Sequence, residues 1–198
     1  MGSSDMKGVF IVFEGIDGSG KSSTMDAAAS ELRAKGDVIK TAEPTDGEIG
    51  RLIRSSGFTP ETEALLFTAD RAQHTSEIRK WIGDGKIVLC DRYYASTLAY
   101  QSADPDGKGL DTLWLEDMNS RVIIEPDITL IFDIDPKIGL ERIESRGHKS
   151  RFERLEYLKK VRENYLRIAR ERGFTVIDSS ASKKDVLEEV MRHICAIL

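Results

Sequence analysis

Gly15-Ile16-Asp17-Gly18-Ser19-Gly20-Lys21-Ser22 follows directly on the apolar run Val9 to Phe13 and Glu14, and opens into Met25, Ala28, Ala29 and Leu32 at helical spacing. The eight residues match G-x-x-x-x-G-K-[ST] in the context that gives the pattern meaning, a strand before and a helix after. Glycines let successive backbone N–H groups turn inward around a phosphate, while the positive end of the following helix faces the same anion. Lys21 adds a mobile cation for the β and γ oxygens of a nucleoside triphosphate. Ser22 offers a hydroxyl to Mg²⁺, whose shell takes oxygen ligands and is completed by phosphates, waters and a carboxylate. Gly15 to Ser22, with Ser23 beside it, is therefore the candidate ATP site.

Further compact apolar runs recur at Val38 to Thr41, Ile87 to Cys90, Ile128 to Phe132 and Thr175 to Ile177, and they read as buried strands. Helical spacing fills the intervals, as in Leu155, Leu158, Val161, Tyr165 and Ile168 ahead of the last run. Continuous apolar strands alternating with amphipathic helices imply an α/β fold: a doubly wound parallel sheet of about five strands, flanked by helices. Ligands bind such sheets at the carboxyl ends of the strands, so the chemistry belongs just after Phe13, Thr41, Cys90 and Phe132.

A chain of 198 residues, 40% hydrophobic, can bury one substantial core. Its net charge of −5 argues against a protein that coats nucleic acid or an anionic membrane. No window reaches the ~18 apolar residues of a membrane span. Cys90 and Cys195 have neither CxxC spacing nor further cysteines to pair with, and read as buried, reduced thiols of a cytoplasmic protein. Met1 to Asp5 lacks the apolar core of a signal peptide and reads as an appended tail, leaving 6–198 as a single domain built on the phosphate loop.

The third run ends in Cys90-Asp91-Arg92-Tyr93, which puts a carboxylate and a guanidinium at the ligand-bearing edge. Alone, the pair is equally a structural ion pair. Beside a triphosphate loop, Asp91 is the candidate carboxylate for Mg²⁺ and Arg92 the candidate clamp for an acceptor phosphate, because its planar fork donates two parallel hydrogen bonds.

Phe13 to Ser22 followed by Asp91-Arg92-Tyr93 resembles the thymidylate kinase family of P-loop nucleoside monophosphate kinases, and the likeness runs over nearly the whole chain from Met6. Thr41-Ala42-Glu43-Pro44 is similar to the family's Thr-Arg-Glu-Pro, and Phe67-Thr68-Ala69-Asp70-Arg71 to its Phe-x-Ala-x-Arg. The resemblance implies ATP-dependent phosphorylation of dTMP to dTDP in a homodimer. It implies that Phe67 stacks on the thymine and Arg71 bonds its edge, although helical spacing by itself reads the same residues as a core Phe beside a surface Arg. It further implies that Glu43, Pro44, Arg54, Thr97, Tyr100 and Gln101 surround dTMP, Arg51 being the alternative to Arg54, and that Tyr100 leaves little room for a 2′-hydroxyl. Asp17 would lie near the acceptor sugar and the moving phosphoryl, or else only stabilise its loop.

By the same resemblance, residues 142–155, with Arg142, Arg146, His148, Lys149, Arg151 and Arg154, form an arginine-rich lid over ATP. Arg146 and Arg151 would join Asp17, Lys21 and Arg92 in catalysis, and Arg142 would stack on adenine. A charge run is otherwise a solvated face. His74 is read as structural. Ala42 stands where the family carries arginine, which leaves acceptor choice open between dTMP and another deoxynucleotide such as dUMP. A different class, an NTP-hydrolysing switch, would need neither Arg71, Arg92 nor the lid.

Overall fold

Every residue of the strand Val9–Gly15 (β1) is buried, and its side chains alternate between two cores. Phe10 and Val12 face one, Val9, Ile11 and Phe13 the other, as the two-residue period of a strand covered on both faces requires. The computed structural model describes residues 8–55, 57–104, 108–143 and 151–198, apart from the side chains of 151–153. Around β1 lie Val38–Ala42 (β2), Ile87–Asp91 (β3), Ile128–Asp133 (β4) and Thr175–Asp178 (β5), in the order β2-β3-β1-β4-β5 with every pair parallel.

The helices are Lys21–Leu32 (α1), Glu48–Arg54 (α2), Pro60–Gly83 (α3), Tyr94–Gln101 (α4), Thr112–Ser120 (α5), Pro136–Ile143 (α6), Arg151–Arg172 (α7) and Lys183–Cys195 (α8). Residues of α1 and α8 close one core, through Met25, Ala28, Leu32, Val186, Val190 and Ile194. Residues of α3, α4, α5 and α7 close the other, including Ile78, Leu98, Leu115, Val161 and Ile168. Local chemistry sets the helix starts. Thr59 accepts from the Thr62 amide ahead of Pro60, and Asp111 accepts from the Trp114 amide at 2.8 Å.

Because β2 and β3 are laid down on one side of β1 and β4 and β5 on the other, the carboxyl end of β1 is the switch point of the sheet, where a crevice opens. The sheet matches the fold read from the sequence. One detail differs: Cys90 is buried, but Cys195 is exposed. On α8 the inward stripe is Val186, Val190 and Ile194, so Cys195, one position round from Ile194, turns outward. Among the described residues no helix is long and apolar enough to cross a membrane.

Candidate active site

β1 delivers the chain into the phosphate loop, and α1 begins there without a side-chain cap; Gly20, at its N-cap, is left-handed at φ 88°. The first-turn amides of α1 are thus free of a competing side-chain acceptor and face the space an anion would take. Gly18 has φ 79°, and a β-carbon there would come within 2.2 Å of the Gly139 carbonyl on α6. Only glycine allows this close approach. Arg142, at the end of α6, donates to the Gly18 carbonyl at 3.2 Å, while Ser23 Oγ donates to that of Gly20 at 2.8 Å. Ser19 Oγ is buried with no hydrogen-bond partner.

Lys21 is buried, its Nζ 3.7 Å from Asp91 Oδ1 at the end of β3. Burial, with the nearby Arg92 charge, lowers its pKa against the opposing pull of Asp91, Asp17 and Glu14. Ser22 Oγ donates to Asp91 Oδ2, and Asp91 Oδ1 is buried without a hydrogen-bond partner. A hydroxyl beside a carboxylate oxygen lacking a donor suits a hard divalent cation. Among the described residues there is no group of three or more His, Cys, Asp or Glu that could hold a metal ion, so a cation here would take its remaining ligands from phosphates and waters.

Arg92 takes the left-handed conformation, φ 71°, rare for a residue with a side chain and costing roughly 1–2 kcal/mol. Its surroundings hold it there. The Arg92 amide donates to the Phe13 carbonyl at 2.8 Å. Its Nη2 donates to Asp17 Oδ1 at 2.6 Å and Tyr100 OH at 3.3 Å, its Nη1 to Ser96 Oγ at 3.1 Å, and the guanidinium lies 5.0 Å from the Tyr100 ring centre. Burial works against the Arg92 charge, but Tyr100, Tyr165, Asp17 and Glu14 together push its pKa well up. Asp17 shows the reciprocal effect. Partial burial opposes ionisation, yet Arg92, Lys21 and Arg154 hold its carboxyl below the ordinary value.

Beneath Arg92 lies Glu14, fully buried. It accepts from the amides of Tyr93 at 2.8 Å and Ser96 at 3.0 Å, from Ser96 Oγ at 2.6 Å and from Tyr165 OH at 2.9 Å. Burial raises its pKa, and the hydrogen bonds and Arg92 only partly offset this. Glu14 thereby ties the start of α4 and the middle of α7 to the loop carrying Arg92.

A cavity of about 340 Å³ opens beside Asp17 and Arg92. The structure brings Glu43, Pro44, Phe67, Arg71, Thr97, Tyr100 and Gln101 together on its wall. Arg54 does not line it. Its guanidinium donates to the carbonyls of Pro44, Thr45 and Gly50 and pairs with Asp46 at 2.6 Å, so it shapes the loop from Pro44 to Gly47 instead. Arg51 likewise donates to the Asp46 carbonyl at 2.6 Å. Arg71 is a buried residue, not a surface one: Nε donates to Glu43 Oε2 at 2.8 Å, Nη2 to Thr97 Oγ1 at 3.1 Å and Nη1 to Asn119 Oδ1. His74 bridges Glu43 Oε1 at 2.9 Å and Thr41 Oγ1 at 2.7 Å, which gives it the structural part read for it.

Five contributions escaped sequence reading: Glu14, Asn119, Asp70, which accepts from the Thr45 amide and hydroxyl, and Glu63 and Tyr157, which line the cavity from α3 and α7. Of the lid residues, Arg146, His148 and Lys149 lie outside the described residues, as does the side chain of Arg151 at the first position of α7. Arg142 is placed against the phosphate loop, and the Arg154 charge reaches Asp17.

Comparison with known proteins follows the same lines. Residues 13–190 match the family model described as thymidylate kinase. The chain is 40% identical over 200 residues to a probable thymidylate kinase of Thermococcus onnurineus, covering 92% of this chain and 95% of the relative. It is 44% identical over 177 residues to one of Pyrococcus horikoshii, covering 83% and 84%. A probable thymidylate kinase of Methanococcoides burtonii is 40% identical over 200 residues, covering 98% and 99%.

Proposed function

The chain belongs to the thymidylate kinase family, and on that footing we propose that it transfers the γ-phosphoryl group of ATP to the 5′-phosphate of dTMP, yielding ADP and dTDP. The observation that carries this reading is the adjacency of two sites. An open helix N-terminus and Lys21 stand on one side of the Asp17–Arg92 pair, and a cavity with an aromatic face and a buried guanidinium on the other. A switch that only hydrolysed NTP would need no such cavity.

In the reaction an acceptor phosphate oxygen attacks the γ-phosphorus in line as the bond to the β,γ-bridging oxygen breaks. Gly15 to Ser22 cradle the donor phosphates, and Lys21 balances their charge. Arg92 holds the acceptor phosphate from a backbone conformation that leaves its guanidinium little freedom, which favours the near-attack arrangement. Asp17 orients Arg92 and is placed for the acceptor sugar. Phe67 offers a face to the thymine, Arg71 a donor to its edge, and Tyr100 crowds the 2′ position. Ser22 and Asp91 would hold Mg²⁺, which when bound spreads the charge of the β and γ oxygens. Arg142 covers the donor side, with Arg146 and Arg151 as the lid cations.

The same reading makes the protein a cytoplasmic homodimer. Leu52 on α2 and Leu65 on α3, each about half exposed on neighbouring helices, favour a dimer face there, and light scattering tests it. The activity test is ADP formation from MgATP with dTMP, dUMP, dCMP, dGMP or no acceptor, beside a Lys21→Ala control. A rate specific to dTMP and lost in the control supports the proposal. Turnover indifferent to acceptor leaves only an NTPase.

A further inference from the structure

Arg71 carries five N–H donors, and nearly all are spent inside the protein. Nε and Nη2 both meet Glu43 Oε2, at 2.8 and 2.7 Å, the other Nη2 hydrogen is directed to Thr97 Oγ1 at 3.1 Å, and Nη1 donates to Asn119 Oδ1. One hydrogen on Nη1 is left for the cavity that Arg71 lines. The charge of Arg71 is opposed by Glu43, and a single hydrogen of its fork is free. It can present one donor, at one place.

Asn119 decides where that donor points. It is buried on α5, an element that supplies no residue to the cavity wall, and its own orientation is settled by a second bond. Nδ2 donates to the Leu115 carbonyl at 2.7 Å, so Oδ1 must be the atom turned to Arg71. The nitrogen it holds is the one carrying the free hydrogen.

We infer that Asn119 is a positioning residue for acceptor choice: by holding Nη1 of Arg71, it aims a single N–H at the base edge and so favours a base with a ring carbonyl there over one with an amino group. This rests on reading the cavity as the acceptor site. Thymine offers a carbonyl at the position where cytosine carries an amino group, and a fixed donor meets the first and opposes the second.

The test compares Asn119→Leu, which keeps the bulk and removes the acceptor, with Asn119→Asp, which keeps the acceptor. For the full-length chain, kcat and KM are measured with dTMP, dCMP and ATP. Asn119→Leu is expected to raise KM for dTMP about tenfold, to lower the preference for dTMP over dCMP, and to leave KM for ATP within about twofold. Asn119→Asp should restore the dTMP values to within about threefold. If the Leu variant does not fold, Asn119→Ser, whose side chain is too short to reach Nη1, takes its place. Unchanged KM and unchanged dTMP preference without the acceptor, or a parallel rise for ATP and dTMP in both variants, would overturn the inference while leaving the kinase reading intact. No dTMP-dependent turnover in the unaltered chain would overturn both.

Discussion

Asp17 of the phosphate loop and Arg92 at the end of β3 are joined by a 2.6 Å ion pair that stands between the loop and the cavity lined by Phe67 and Arg71. Arg92 enters the pair from a left-handed backbone, with Tyr100 and Ser96 holding the rest of its fork. A lysine can supply the charge but not the planar, multiply bonded head. Arg92→Lys should therefore lower kcat/KM for dTMP by about 100-fold, with KM for ATP little changed. Initial-rate kinetics with each substrate varied in turn checks this.

The same pair makes a statement about pH. Arg92, Lys21 and Arg154 overcome burial and depress the Asp17 pKa, so the folded state favours its ionised form. The stability this contributes is present above the ordinary aspartate value of about 3.9 and is lost as pH falls through the lower folded value. Half of the Asp17 side chain is exposed, so the amount is below about 1 kcal/mol. Urea midpoints of the parent and Asp17→Asn should differ by a constant amount from about pH 7 to pH 5 and converge below about pH 4.

The strands and the phosphate loop were legible because both are local signals. Val9 to Phe13 and Ile128 to Phe132 are short apolar runs, and the glycines with Lys21 stand at fixed offsets. The residues of the cavity wall were singled out only through family resemblance, since a Phe and an Arg one turn apart on a helix carry no signature of a base site. Arg54 shows the limit of that route. Its place in the sequence suits a nucleotide contact, but the carbonyls of Pro44 and Thr45 take its donors. Glu14 and Asn119 carry no local signal for these tasks, because the donors that Glu14 accepts lie 79 to 151 positions away and Arg71, which Asn119 holds, lies 48 positions away.

Glu14 is the clearest case of a buried charge with a structural task, and removing it has a calculable cost. Glu14→Ala would leave the Tyr93 and Ser96 amides and two hydroxyls without their acceptor, at about 3 kcal/mol or more. The Arg92 conformation should relax with it, so kcat should fall further than ATP affinity. Glu14→Gln separates the charge from the shape. Burial raises the Glu14 pKa, so its contribution is full below the ordinary glutamate value and is lost as pH rises through the folded value. The stability advantage of the parent over Glu14→Gln should accordingly widen as pH falls, which denaturant melts across pH will show.

Gly18 and Gly139 form the other critical contact, between the phosphate loop and α6. A methyl group on Gly18 would sit 2.2 Å from the Gly139 carbonyl, and one on Gly139 would sit 2.9 Å from that of Asp17. Both neighbours are backbone, so neither substitution is relieved by a rotating side chain. Gly18→Ala carries the added strain of φ 79°. It should destabilise the fold by about 3 kcal/mol and weaken ATP binding by more than about tenfold, while Gly139→Ala, without that strain, does less of both. Arg142→Ala removes only the side-chain bond to the Gly18 carbonyl and should leave the melting temperature nearly unchanged. Thermal melts with and without ATP order the three variants, and a Gly18→Ala protein that melts and binds ATP like the parent would show that the loop and α6 are not in fact wedged together.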